Sequence, residues 1–302
     1  MRWLAGRILG AIITATVVLP AFAVADDGAY TRSMEQWREN RESSLLAEDG
    51  YLAVAGLFWL EEGDNSFGTD PANDFVLPEG SAPARVGVFR HQAGMTRVIV
   101  DPGIDEVTKA GEVVRDAELR PSRVGPADAI RLRDLFFHVH VSGDRYGIRL
   151  RDLNSPYRKN FVGLRWYPVD ADYRVVADFV PFETEKTVEL VNIVGGTQTY
   201  VAPGFVTMEL KGDKIRFDPV MRGDKLFFIF SDATSGRTTY PAARFLYADM
   251  PKDGKVIVDF NQAINPACAY SPYTVCPYPP RQNRLTMAIE AGAMKYLGRV
   301  DY

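Results

Sequence analysis

Two stretches in the C-terminal third of the chain gather the side chains that can do chemistry. The first, residues 230–246 (FSDATSGRTTYPAARFL), sets Asp232, Thr234, Ser235, Arg237, Thr238, Tyr240 and Arg244 around a glycine-containing turn between two apolar runs. Arginine offers a bidentate fork to a carboxylate or phosphate, and hydroxyls fix orientation, so this set suits one wall of a pocket for a polar or anionic ligand. The same SDATSG segment also suits a hairpin connection in which Asp and Ser bond their own backbone, with Arg244 pairing with Asp259. The second stretch, residues 259–285 (DFNQAINPACAYSPYTVCPYPPRQNRL), holds both cysteines, three asparagines and Pro266, Pro272, Pro277, Pro279 and Pro280, without helical or strand period. Prolines remove backbone donors while Asn and Asp side chains replace missing backbone partners, which is the chemistry of an ordered irregular loop.

Asp259 and Asn261 follow the strand-like KVIVDF, and period two sets them on one face. A carboxylate there can act as a general base or accept hydrogen bonds from a sugar or amine; equally, both side chains can cap the loop backbone. Adding Arg165, Trp166 as a stacking face, and Asn265 gives the expected ligand site: Arg165, Trp166, Asp232, Thr234, Tyr240, Arg244, Asp259, Asn261 and Asn265, in one pocket for a small polar or anionic molecule. A hydrolase-like alternative uses Asp259 or Asp232 as base, with Tyr240 or Arg244 stabilising negative charge. A third reading is a structural or interaction module in which the polar set only locks the loop. No catalytic residue is assigned.

Other patterns carry less. Ser235 lacks the strand–turn–helix setting of a G-x-S-x-G nucleophile, and no phosphate-cradling loop or dinucleotide fingerprint is present, so no cofactor is expected. His138 and His140 share one strand face, a spacing that metal-binding barrels use, but no third ligand stands near, and no metal is assigned. Cys268 and Cys276, the two cysteines of the chain, have seven residues between them. A local disulfide is the favoured reading, closing a small loop for about 2–3 kcal/mol; two thiolate ligands of a metal are the alternative.

The elements that must position these groups are mostly strands. Residues 33–46 carry Met34, Trp37, Arg38, Arg41 and Leu45 at helical spacing. From YLAVAGLFWL onward, short β-rich segments alternate with Gly and Pro breaks, and a second series from Phe161 repeats them about every ten residues, the rhythm of sandwiches and barrels. The expected fold is mainly β: two packed sandwich or barrel-like units with a short N-terminal helix. The units span 26–152 and 153–302, divided at LNSPYRKN. Residues 284–297 suit either an amphipathic helix or an extended tail.

Arg2 and Arg7, the apolar run 8–19, Pro20 and Ala23-Val24-Ala25 read as an export signal over residues 1–25. The apolar run is shorter than the ~20 residues a spanning helix needs, so the cleaved chain is expected in the periplasm or secreted, away from the membrane. Cleavage removes two arginines and takes the formal charge from −4 to −6, which disfavours nucleic acid as a partner. Nothing in the sequence indicates an oligomeric state.

The blocks GLFWLEEGDNSFG, GIRLRDLNSPYRKNFVGLRWYPVDADYRVVADF, FSDATSGRTTYPAARFL and DFNQAINPACAYSPYTVCPYPPRQNRL together resemble the domain of unknown function 1684 family of bacteria and archaea, over residues 37–292. The resemblance implies no activity, since that family has no established reaction. Its pattern ends AGEK-like where this chain reads AGAMK, so any role of that glutamate is lost at Ala293. In outline, NSFGTDPANDFVLP is similar to the start of the forkhead-associated β-sandwich. Thr69 stands where that fold's phosphate-binding arginine would be, and SAPARVG lacks its S-x-x-H pattern, so phosphopeptide binding is not carried over.

Overall fold

The computed structural model describes residues 27–122 and 127–298; the export signal read over residues 1–25 lies outside them. The protein is mainly β with one long N-terminal helix, α1 (Asp27–Leu46), which starts earlier than the helical spacing over residues 33–46 suggested. Helical geometry aligns residues four apart, and so Met34 is buried beneath the helix while Trp37 and Arg41 share a neighbouring stripe.

The first β unit has two sheets. One contains β1 (Val54–Trp59), β6 (Val107–Lys109), β7 (Glu112–Val113), β9 (Ala129–Leu132), β10 (Leu135–Ser142) and β11 (Arg145–Asp152), in the order β1-β11-β10-β9-β6-β7. The other contains β2 (Gly63–Gly68), β3 (Phe75–Val76), β4 (Gly87–Gln92), β5 (Met95–Val100) and β8 (Asp116–Glu118), in the order β3-β2-β4-β5-β8. Period two explains the β10–β11 hairpin. Leu135, Phe137, Val139, Ile148 and Leu150 point into a core shared with Phe67 and Phe89, whose rings stack at 4.4 Å. The opposite face carries His138, His140, Arg149 and Arg151, with His138 directly across from Arg149.

The stretch 153–160 holds a one-turn helix, α2 (Pro156–Lys159), whose Arg158 donates to Leu46 O at 2.8 Å. The second β unit follows. A four-stranded sheet runs β14-β13-β12-β18, built on the long pair β12 (Arg174–Val191) and β13 (Thr197–Leu210) with β14 (Asp213–Phe217) and β18 (Lys255–Asp259) outside. A three-stranded sheet runs β15-β16-β17: Val220–Arg222, Lys225–Phe230 and Arg244–Asp249. Phe217, Phe228, Phe230 and Phe260 meet at centroid distances of 5.7–6.1 Å to fill the core between them.

Residues 260–285 form no strand, as their composition implies, but three 3-10 turns held by side chains. Asn283 shows how: its Nδ2 donates to Asp218 O and Ile229 O at 3.1 and 3.0 Å, and its Oδ1 accepts from Asp218 N at 2.9 Å. Beyond it the chain takes the extended alternative and closes bridges at Ser231↔Arg284 and Trp166↔Ala293. Gly292 is the tight point of this tail. Its φ is +77°, and a Cβ would stand 2.6 Å from Ala263 O and 2.7 Å from Phe260 O. The backbone conformation alone costs an L-residue about 1–2 kcal/mol, and two carbonyl clashes add to it. Gly292→Ala is therefore expected to lower the melting temperature by several degrees; an unchanged melting curve would show that the tail is not anchored there.

Candidate functional site

Asp232 and Arg244 meet in the interior, not at an opening. Arg244 Nη1 donates to Asp232 Oδ2 at 2.7 Å, with the two side chains 1% and 0% exposed. The same guanidinium donates to Ile289 O at 2.8 Å and to Ala291 O. Asp232 Oδ1 accepts from Thr234 N at 2.7 Å and Thr234 Oγ1 at 2.6 Å, and Thr234 in turn meets Thr239 Oγ1 at 2.8 Å. The turn after β16 is thus pinned to the C-terminal tail, and Arg244 pairs with Asp232 rather than with Asp259.

Asp259 belongs to a second cluster. Both carboxylate oxygens accept from Tyr30 Oη of α1 at 2.9 Å, Oδ1 also accepts from Asn261 N and Nδ2 at 3.1 Å, and Arg174 Nε stands 3.8 Å away. Asn261 is fully buried and bonds both Asp170 N and Asp170 O. Burial pushes the Asp259 carboxyl up despite these donors. Helix α1, grouped by sequence with the first β unit, is tied here to the second. Arg38 donates to Tyr167 O at 2.9 Å, and Trp37 packs edge-on to Trp166 at 5.7 Å.

The remaining expected residues disperse. Arg165 is exposed beside Met294, and Trp166 is sandwiched by Trp37 and Arg38. Tyr240 Oη donates to Cys268 O at 3.1 Å, and Asn265 Nδ2 donates to Met294 O at 2.8 Å. The nine residues therefore form a buried lock, a helix clasp and isolated contacts, not one pocket. The expected disulfide is not formed either: Cys268 and Cys276 are both shielded from solvent, with Cys268 N donating to Cys276 Sγ at 3.3 Å.

Two cavities lie between α1 and the second unit, and the inner one also reaches the β10–β11 face. The outer, about 480 Å³, is lined by Trp37, Arg174, Lys225, Asp249, Asp259 and Gln262 among others. The inner, about 210 Å³, is lined by Tyr51, His140, Arg149, Gln198, Arg222, Asn265, Thr274 and Cys276 among others; Arg41, Tyr247 and Ile264 line both. Of the residues expected from sequence, Asp259 reaches the outer cavity and Asn265 the inner.

The inner cavity is strongly basic. Arg41 comes from α1, Arg149 from β11 and Arg222 from β15, and none of them pairs with a carboxylate among the described residues. Arg41 makes a long contact, 3.5 Å, to Ser44 Oγ, and Arg222 lies at the open rim. The Nε atoms of Arg41 and Arg149 and the Nε2 of His140 are buried without a partner. Desolvation and then the neighbouring Arg151 bring Arg149 down to about 10, and burial with Arg149 brings His140 down to about 3, so the imidazole is neutral. Forked guanidinium donors with unfilled positions can hold a carboxylate, phosphate or sulfate. Sequence reasoning missed Arg149 and Arg222; the alternation that put His140 and Arg149 on the polar face of one hairpin was the available signal.

The fold and these cavities define a mainly β protein of two β units clasped by an N-terminal helix. It belongs to the family described as protein of unknown function (DUF1684), whose model matches residues 159–294. The chain is similar to an uncharacterised protein from Haloarcula marismortui solved by solution NMR, at 31% identity over 47% of this chain and 81% of that one, with a TM-score of 0.40. It is also similar to an FHA domain studied for phosphothreonine-dependent interactions and to the FhaA FHA domain in complex with an intracellular domain. Each is 20% identical and aligned over 32% of this chain and 92% or 97% of its own, with a TM-score of 0.22. No curated protein matches.

Proposed function

We propose that the protein is exported and binds a small anionic ligand, carrying a carboxylate, phosphate or sulfate group, in the cavity between its two β units. The observation that carries this reading is the set of Arg41, Arg149 and Arg222 around one cavity without a carboxylate partner among the described residues. A half-buried cation costs free energy unless a counter-charge compensates it, and here an entering anion supplies that charge. His140 Nε2 and the two arginine Nε atoms stand ready to complete its hydrogen bonds. Tyr247 and Ile264 give the apolar flank that small-molecule sites usually have. Export is supported by the signal-like residues 1–25.

Calorimetric titration with inorganic phosphate, sulfate and citrate tests the binding reading. At least one anion is expected to bind and to raise stability by about 2.7 kcal/mol at about a hundred times its dissociation constant. Arg149→Ala is expected to weaken that anion by about ten- to a hundredfold while leaving the unliganded fold as stable as before or slightly more so, because an unpaired charge is removed. Absence of any anion-dependent stabilisation sinks the reading.

A further inference from the structure

We propose that the anion held in the inner cavity is the head of a larger molecule whose tail, a sugar or similar polyhydroxylated group, lies in the outer cavity. The proposal deepens the anion-binding reading and rests on it. Arg41, Tyr247 and Ile264 are walls of both cavities, so a molecule whose head is held inside can extend into the outer one. At about 210 Å³ the inner cavity suits a compact charged head, and at about 480 Å³ the outer has the size usual for a small-molecule site.

The lining of the outer cavity decides among tails. Three cations, Arg41, Arg174 and Lys225, and two carboxylates, Asp249 and Asp259, line it. Lys225 pairs with Asp249, and Arg174 Nε stands 3.8 Å from Asp259. An ammonium tail therefore meets a wall of net positive charge. An apolar tail strips water from Arg174, Lys225, Asp259 and Gln262 and returns no hydrogen bond. A hydroxylated ring answers both objections: it is uncharged, each hydroxyl donates and accepts, and its C–H surface packs on Trp37 and Ile257. Gln262 is the clearest partner for it. The residue is half-buried, and its Nε2 reaches the Met34 thioether, a weak acceptor, at 3.9 Å. Its amide can donate to one hydroxyl and accept from the next. The Arg174 guanidinium adds donors, because its 3.8 Å separation from Asp259 is longer than a hydrogen bond.

Calorimetric titration of the whole protein with one head on different tails tests this. The phosphate arm compares inorganic phosphate with the 6-phosphates of glucose, mannose and galactose, with phenyl phosphate and with phosphoethanolamine. The carboxylate arm compares acetate with glucuronate and galacturonate, so that the two arms tell a sugar phosphate from a uronate. At least one sugar is expected to bind about tenfold tighter than its bare head, while the phenyl and ethanolammonium tails add nothing. Gln262→Ala should remove about three- to tenfold of that gain and leave the affinity for the bare head unchanged. If a bare head binds and no sugar improves on it, or if a phenyl or ethanolammonium tail outdoes every sugar, the proposal is overturned and the anion site stands. A sugar gain that Gln262→Ala leaves intact puts the tail elsewhere and overturns it as well. If no anion binds, bare or sugar-borne, the anion-binding reading falls and this proposal falls with it.

Discussion

Arg244→Ala is expected to destabilise the protein by about 3–5 kcal/mol, enough to unfold a marginal domain, because it leaves the Asp232 carboxylate charged and buried without its partner. The guanidinium does more than neutralise Asp232. It also holds the carbonyls of Ile289 and Ala291, so the substitution strips buried acceptors in the tail as well. Asp232→Ala should cost a comparable amount, since it strands the arginine and removes the acceptor for Thr234. The pair Asp232→Leu with Arg244→Met should recover part of the loss, because replacing both members removes the stranded charge, while the tail carbonyls stay unpaired. Urea unfolding of the wild type, Asp232→Leu, Arg244→Met and the pair gives the coupling directly. A single variant that unfolds like the wild type would show that the ion pair is not the lock its burial implies.

Much of this architecture was legible in the sequence, and the part that was not has a definite physical cause. Hydrophobic alternation identified LFFHVHVS because each face of a half-buried strand records its own environment, whereas KLFFIF, buried from Leu226 to Phe230, was legible as a continuous apolar run. Proline and asparagine density identified 259–285 as an ordered loop because the compensating hydrogen bonds are local in type. Alternation says which face a residue occupies but not what covers that face. His140 and Arg149 are polar-face neighbours on one hairpin, yet the cavity exists only because Arg41 from α1 and Arg222 from β15 close over them, contacts far apart in sequence. The same limit applied to Arg244. Its partner was sought in Asp259, at the end of a strand, while the hairpin geometry brought it back onto Asp232 in the turn it follows. The Cys268–Cys276 loop showed proximity, and proximity alone did not join the sulfurs.

The polar face of that hairpin also sets an acid sensitivity. Burial, reinforced by Arg151 and Arg149, brings His138 from 6.5 down to about 3, and Arg151 Nη1 lies 3.2 Å from His138 Nδ1, a contact that requires the neutral ring. His140 is brought down to about 3 by burial and Arg149. The unfolded chain takes up protons near pH 6.5 that the native state refuses until near pH 3. The stability these histidines contribute is therefore complete above about pH 6.5 and is lost progressively as the pH falls through that window, by about 2 kcal/mol each at pH 5. Urea unfolding at pH 7 and pH 5 should show the loss in the wild type and a smaller one in His138→Gln and His140→Gln. Equal losses in all three proteins would exclude the histidines as its source. Phosphate distinguishes the two rings further. An anion held beside Arg149 faces His140, which lines the cavity, and favours its charged form. Saturating phosphate should therefore blunt the acid loss in His138→Gln, where His140 is the one left of the two hairpin histidines, and have less effect on the pH dependence of His140→Gln. In this way the pH profile reports whether the arginine-lined cavity is occupied.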